Sequence, residues 1–214
     1  MLKGIAYTVK SFRAVLAGTK TQTRRIVKDH AWATEARELE SGAWELSADT
    51  HACSFPRPRY QRGNLLYWNN EPVEVGTVLS GNDGRTWRAS LRPLWAGYPA
   101  PWRNVVIPDG VKRPQLGRYR GRVLPWEWAH PWRGLVIDVR CEPLQEISNA
   151  DCLAEGVSVE VSLNDYGTGS VLRDAYAAEW DQINAKRGHP WAANDWVWVY
   201  EITTPEGAKE PADA

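Results

Sequence analysis

Cysteine and histidine are scarce in this 214-residue sequence. Its three cysteines, Cys53, Cys141 and Cys152, have no Cys-x-x-Cys spacing, and its four histidines stand far apart. We therefore expect neither a disulfide framework nor a metal site, and no cofactor. No apolar run reaches the ~18 residues of a membrane span, and residues 1–10 lack the pattern of a secretory signal. These absences predict a cytoplasmic protein with no membrane partner.

The chain contains enough apolar residues, 43%, to bury a sizeable core. Two turn-rich stretches of the chain, at about 28–62 and at 92–134, show no sustained hydrophobic periodicity. We expect a single domain over residues 1–203 with insertions at those two places. The tail, 204–214, is rich in Pro, Glu, Ala and Lys, and is predicted to be disordered.

Charge is unevenly distributed, although 26 basic and 26 acidic residues balance. The net charge is +6 over residues 1–30, +5 over 101–140 and −10 over 141–214. This asymmetry suits a basic face that binds a polyanion and an acidic side that opposes non-specific binding. Pairing of the basic and acidic segments within the molecule is the alternative.

Tryptophan is abundant, at 13 residues against two Phe and one Met. Several tryptophans stand beside Pro or Arg in non-periodic stretches, where loops are more expected than core strands. Flat rings among guanidinium groups suit base stacking and phosphate contact, so RNA or another single-stranded nucleic acid is the predicted partner. Candidate phosphate contacts are Arg103, Arg118 and Arg120. Most of the tryptophans are nevertheless expected to be structural.

Local patterns predict an α+β protein. The strands are expected at 4–8, 23–27, 63–68, 86–91, 135–139 and 196–202, in one curled, barrel-like sheet. The helices are expected from 9 to 17 before Gly18, from the capping box at Ser148 to Gly156, and from about 170 to Gly188.

The segment from Gly18 to Arg25 has the pattern Gly-x-Lys-x-x-Thr-x-Arg, formed by Gly18, Lys20, Thr23 and Arg25. It resembles the hallmark of the ASCH domain, a PUA-like β-barrel family. Two further blocks, 144–156 and 180–199, resemble phage and prophage members in the same order, so the resemblance covers about half of the chain. It implies a PUA-like curled β-barrel with flanking helices and long Trp/Pro/Arg-rich loop insertions.

The same resemblance implies a chemistry. Lys20, Thr23 and Glu155 match the Lys, Thr and Glu of small bacterial ASCH amidohydrolases, which deacylate N4-acetylcytidine. A lysine whose pKa is lowered by burial near other cations can act as a general base towards a hydroxyl, and a nearby glutamate can supply acid/base chemistry. Each residue also has a simpler interpretation: a solvated or phosphate-contacting lysine, a β-forming threonine and a surface glutamate.

Other side chains are predicted around this site. Arg24 and Arg25 are adjacent on a strand, so they face opposite sides, and Arg25 is expected at the pocket because it occupies the family position. An aromatic wall is expected from Trp68 or from the 124–133 loop, which contains Trp128. Near that loop Arg133 stands in for a basic residue of the relatives. Arg24 is also a predicted nucleic-acid contact.

Three functions follow. The first is an ASCH protein that binds nucleic acid or a nucleoside in its pocket, and the second is an ASCH enzyme that hydrolyses an acylated or otherwise modified cytosine nucleoside; the sequence leaves binding and catalysis open. The alternative is a phage-encoded interaction factor that acts on a protein of its bacterial host through exposed Trp-rich loops.

Overall fold

A computed structural model describes most of the chain. The described residues are 2–5, 7–49, 53–68, 73–81, 85–95, 98–99, 102–119, 133–158 and 168–203. The chain forms two compact units. Unit 1 comprises Met1–Phe12 and Leu65–Arg133, and unit 2 comprises Arg13–Asn64 and Gly134–Ala214.

Strands dominate the described residues, and helices are few, as expected of an α+β protein. In chain order the elements are β1 (Leu2–Ile5), α1 (Val9–Leu16), β2 (Gln22–Ile26), β3 (Glu35–Glu38), β4 (Trp44–Ser47), β5 (Cys53–Ser54), β6 (Leu65–Trp68), β7 (Val73–Ser80), β8 (Trp87–Trp95), β9 (Tyr98–Pro99), β10 (Arg103–Ile107), β11 (Gly117–Tyr119), β12 (Arg133–Pro143), α2 (Asn149–Ala154), α3 (Thr168–Asn184) and β13 (Trp196–Ile202). No described helix has the length and apolar character needed to cross a membrane.

Unit 1 contains an antiparallel sheet in the order β10-β8-β7-β11, with β9 paired to β8. Its β1 and β6 form a parallel pair. Because successive strand residues alternate between faces, Ala89 and Leu91 of β8 lie on one face and Arg88 and Arg92 on the other. The first face packs into a core with Val75 and Ile107.

Unit 2 is organised around β13, which pairs antiparallel with both β12 and β2. Every residue of β13 except Glu201 is buried, as expected for an apolar strand covered on both faces. Val197 and Val199 belong to a core that the other elements complete with Leu144, Ile147, Cys152, Val157, Leu172, Tyr176 and Trp180. On the alternate positions of β13, Trp198 meets the ring of Trp44, and Tyr200 meets that of Tyr60.

The predicted helix signals are confirmed. Gly18 follows α1 with a left-handed φ of 75°. Ser148 caps α2 through the predicted reciprocal capping box with Asp151. The stripe of α3 is buried at Leu172, Tyr176 and Trp180, but Ile183 is exposed because it lies beyond the core cluster at the end of the helix.

The prediction of one sheet is wrong for residues 86–91. These belong to β8, which pairs with β7 and β10 in unit 1, whereas β2, β12 and β13 share a sheet in unit 2. Among the described residues the sheets are open, and none closes into a barrel. The 28–62 segment, predicted as a loop-like insertion, contains the antiparallel sheet β3-β4-β5, anchored by buried Trp44 and Leu46. The predicted tail at 204–214 lies outside the described residues.

Candidate functional site

Three alternate residues at the start of β2 face a cluster of carboxylates in unit 2. Lys20, Gln22 and Arg24 are separated by two positions each, the spacing that places side chains on one face of an extended chain. The Lys20 ammonium pairs with Glu155, and the Gln22 amide donates to Asp151 Oδ1 at 3.0 Å. The approach to β2 therefore aims a row of donors at the α2 segment.

The Lys20–Glu155 pair is a deeply buried contact of this row. Lys20 Nζ lies 2.5 Å from Glu155 Oε2 and donates also to the Glu155 carbonyl at 2.7 Å. Each side chain is only 5% exposed. Burial lowers the pKa of Lys20 from its ordinary value, although the Glu155 carboxylate opposes this shift. The amine is thus poised to lose its proton more readily than a surface lysine.

A glycine makes this approach possible. Glu155 ends α2, and the Thr21 amide donates to the Ala154 carbonyl at 2.8 Å. Gly156 follows with a φ of +84°, and a Cβ atom there would lie 3.0 Å from Ala14 Cβ and 3.1 Å from Lys20 Cβ. Only glycine combines this left-handed backbone with so close a neighbour.

Arg24 connects Glu155 to two further carboxylates. Its guanidinium is 0% exposed and donates through Nη1 to Glu155 Oε1 at 3.2 Å and through Nη2 to Glu142 Oε1 at 2.7 Å. Nη2 also lies 3.3 Å from Asp151 Oδ2. Burial disfavours the charge, but the carboxylates, Glu155 first, outweigh it and raise the pKa of Arg24. Arg24 thereby holds the Glu155 carboxylate from the side opposite Lys20.

Arg140 extends the cluster outward. It donates to Glu142 Oε2 and to Asp151 Oδ1, each at 2.8 Å. Burial opposes ionisation of Asp151, but hydrogen bonds from Gln22 and Ser148 and the two arginine charges lower its pKa to about 2. We call these residues the buried ion network: Lys20, Arg24, Arg140, Glu142, Asp151 and Glu155.

Proton transfer is the chemistry that this arrangement can perform. Both oxygens of Glu155 are engaged, Oε2 by Lys20 and Oε1 by Arg24, so the carboxylate is held in one orientation. A lysine with a lowered pKa beside an oriented carboxylate can accept a proton and return it. In the described ranges no three His, Cys, Asp or Glu side chains converge in a way that could hold a metal ion.

Of the three predicted catalytic residues, the structure brings Lys20 and Glu155 into contact. Thr23 is buried, but it stands between Gln22 and Arg24 on β2, so its side chain lies on the other face of that strand. There it is in register with Tyr200 of β13.

The two arginines divide between the faces of β2, as alternation predicts. Arg24 contacts Glu155, because the register of β2 turns even-numbered residues towards α2. Arg25 is half-buried on the other face, where its Nη1 donates to the Arg24 carbonyl at 3.2 Å. The expectation that Arg25 lies at the rim of the pocket stays a prediction.

The remaining predicted binding residues are Trp68, Arg103, Arg118, Arg120, Trp128 and Arg133. Arg118 is 75% exposed in unit 1, with Nε 3.8 Å from Glu74 Oε1. Trp68 ends β6, Arg103 begins β10, and Arg133 begins β12. Arg120 and Trp128 lie outside the described residues.

Sequence reasoning missed Gln22, Arg140, Glu142 and Tyr176 as neighbours of the site, and it treated Asp151 only as a helix cap. The Tyr176 ring centroid lies 5.9 Å from the Arg24 guanidinium carbon. The alternation of Lys20, Gln22 and Arg24 was the available signal, but their partners lie more than 100 positions away. Comparison with protein-family models, with curated proteins and with solved structures finds no match to this chain.

Proposed function

We propose that this chain is an ASCH-type protein with a PUA-like fold that binds a nucleoside or nucleic acid and hydrolyses an acyl group from the N4 amine of cytosine. One observation carries the proposal. Lys20 and Glu155 belong to separate blocks of the family resemblance, 135 positions apart, and they meet in a buried ion pair. Burial of an amine that could have remained in water costs free energy, which argues for a chemical use of the pair.

Amide hydrolysis needs a base, a nucleophile and a proton donor. In the proposed reaction Lys20 first gives a proton to its ion-pair partner Glu155, and the neutral amine then accepts a proton from the attacking water molecule. The new C–O bond forms at the acyl carbon, and the bond from that carbon to N4 breaks. The Lys20 ammonium returns the proton to N4, and Glu155 orients the amine of Lys20 throughout. The products are cytidine and the free carboxylic acid, with one water consumed.

The test is release of cytidine from N4-acetylcytidine, measured by chromatography. The wild type is expected to release cytidine, and Lys20→Ala and Glu155→Gln are each expected to lose about 100-fold or more in turnover. Arg62→Ala is the control, because it removes an exposed pair with Glu38 and Asp138 in the same unit. Its turnover should stay at the wild-type level.

A variant that keeps the positive charge distinguishes loss of activity from loss of folding. Lys20→Arg retains a cation for Glu155, but a guanidinium does not lose its proton at neutral pH. Retained thermal stability with lost turnover supports a base. A wild type that releases no cytidine overturns the hydrolysis, and binding of cytidine that Lys20→Ala abolishes would then identify a recognition site.

A further inference from the structure

The sheet of unit 1 has one face turned away from its core. Strand alternation places nine residues there: Glu74, Thr77, Leu79, Arg88, Ser90, Arg92, Asn104, Val106 and Arg118. We call this set the outer face. Leu79, Arg88, Val106 and Arg118 are exposed, whereas the opposite face buries Val75, Ala89 and Leu91. A sheet with one buried and one open face has room for a partner on the open side.

The Trp102 ring packs against this face, over Gly76 and beside Arg92. A Cβ atom at Gly76 would lie 2.6 Å from both Cη2 and Cζ3 of the Trp102 ring, so the ring occupies the space that a side chain would fill. Gly76 stands at the irregularity in the pairing of β7 with β8. The Arg92 guanidinium carbon lies 4.7 Å from the ring centroid. Despite these contacts, Trp102 remains 45% exposed.

The charge of unit 1 favours a negatively charged partner. Unit 1 contains 12 Lys and Arg against 5 Asp and Glu, a net +7, whereas unit 2 contains 14 against 21, a net −7. On the outer face itself, three arginines stand with one carboxylate, Glu74. A concentration of exposed guanidinium groups around an exposed indole is complementary to a polyanion that also carries flat rings.

We infer that the outer face of unit 1, with Trp102, binds single-stranded nucleic acid, through stacking of a base on Trp102 and contact of phosphates with Arg88 and Arg118. Unpaired bases expose the ring faces that stacking requires, whereas a duplex hides them. An open cleft is lined by Gly76, Thr77, Leu79 and Leu116. It begins at Gly76, where the Trp102 ring packs, and it offers apolar surface to a neighbouring nucleotide. The inference deepens the proposed function by naming a partner and its surface, and it does not depend on chemistry at Lys20.

Fluorescence anisotropy with labelled oligouridylate and oligothymidylate tests the inference on the full chain. Binding at low salt is expected to weaken as salt rises, because neutralised phosphates release counterions. Trp102→Ala is expected to weaken binding about tenfold, and Trp102→Phe by less, because a ring remains for stacking. Trp32→Ala is the matched control, since Trp32 is 40% exposed but belongs to unit 2.

Two more pairs of variants separate charge and shape. Arg118→Glu should weaken binding, whereas Arg37→Glu, at a similarly exposed arginine of unit 2, should not. Gly76→Ala displaces the Trp102 ring without changing charge and should weaken binding as Trp102→Ala does. Gly110→Ala is its control, because no atom lies within 4 Å of a Cβ atom added there. Thermal melts show that each variant is folded.

Several results would overturn the inference. One is failure to bind either oligonucleotide at low salt, and another is equal loss in Trp102→Ala and Trp32→Ala. If polyphosphate competes as well as the oligonucleotides and Trp102→Ala has no effect, the surface binds polyanions without recognising bases. Preference for one oligonucleotide distinguishes RNA from DNA. Cytidine release by Trp102→Ala tests the proposed hydrolysis separately, because free N4-acetylcytidine does not need the outer face.

Discussion

The two units use arginine in opposite ways. Arg24 in unit 2 is 0% exposed and lies among three carboxylates, whereas Arg92 in unit 1 is 38% exposed and pairs with Glu74 beside the Trp102 ring. Unit 2 has an excess of acidic residues and can surround a buried guanidinium with them. Unit 1 has only 5 acidic residues for 12 basic ones, and its Glu74 serves both Arg92 and Arg118. A unit rich in carboxylates can thus bury a guanidinium among them, whereas Arg92 and Arg118 share one carboxylate and stay in contact with solvent.

The two kinds of arginine also differ in the free energy that is lost when they are removed. Removing a cation from a buried cluster leaves carboxylates without their partner in a medium of low dielectric constant, whereas removing an exposed one leaves a solvated carboxylate. The buried ion network should therefore respond strongly to substitution, and the outer face weakly.

The largest effect is expected for Arg24→Leu. It leaves Glu155 buried with one cation fewer, so the free energy of unfolding should fall by about 3–5 kcal/mol. Urea denaturation followed by tryptophan fluorescence measures the loss. Arg92→Leu is the matched variant in unit 1 and should cost far less. Equal losses in the two variants would contradict the distinction between the units.

A smaller effect is expected for Gly156→Ala. Its left-handed φ and the approach to Ala14 and Lys20 together should lower the free energy of unfolding by about 1–3 kcal/mol. Gly110 in unit 1 has a similar φ of +76° but no atom within 4 Å of the added Cβ. Gly110→Ala therefore measures the backbone strain alone. The close packing at Lys20 would be disproved by a Gly156→Ala variant no less stable than Gly110→Ala.

The smallest expected effect is a loss of stability at low pH. The pKa of Asp151 is about 2, below its ordinary value of 3.8, so the stability it contributes is complete above about pH 4 and is lost as pH falls towards 2. We expect this loss to be about 1 kcal/mol, because the group is partly exposed and screened.

Unfolding measured across this pH range should show a flatter profile for Asp151→Asn than for the wild type. Glu74→Gln is the control in unit 1. Its carboxyl also has a lowered pKa, caused first by the hydrogen bond from Arg92, and its side chain is about as exposed as that of Asp151, 22% against 19%. A profile for Asp151→Asn that is as steep as that of the wild type would exclude Asp151 as the titrating group.

Prediction from sequence succeeded where neighbours along the chain decide the outcome. The Ser148 capping box, the turn at Gly18 and the buried stripe of α3 each depend on residues within one or two helical turns. Strand positions were also predictable, but their partners were not. The alternating pattern of β8 is compatible with several sheets, and only its pairing with β7 and β10 places it in unit 1.

The candidate site shows the same division. Alternation along β2 determines that Arg24 and Arg25 face opposite sides, but the sequence does not state which side meets α2. That choice depends on the register of β2 against β13, where a slip of one residue would exchange the two faces. The sequence by itself therefore determined the helices, part of the strands and the alternation of the donors. Only the tertiary structure decided that Lys20 and Arg24 meet Glu155, because contacts across more than 130 positions depend on strand pairing and packing rather than on local preference.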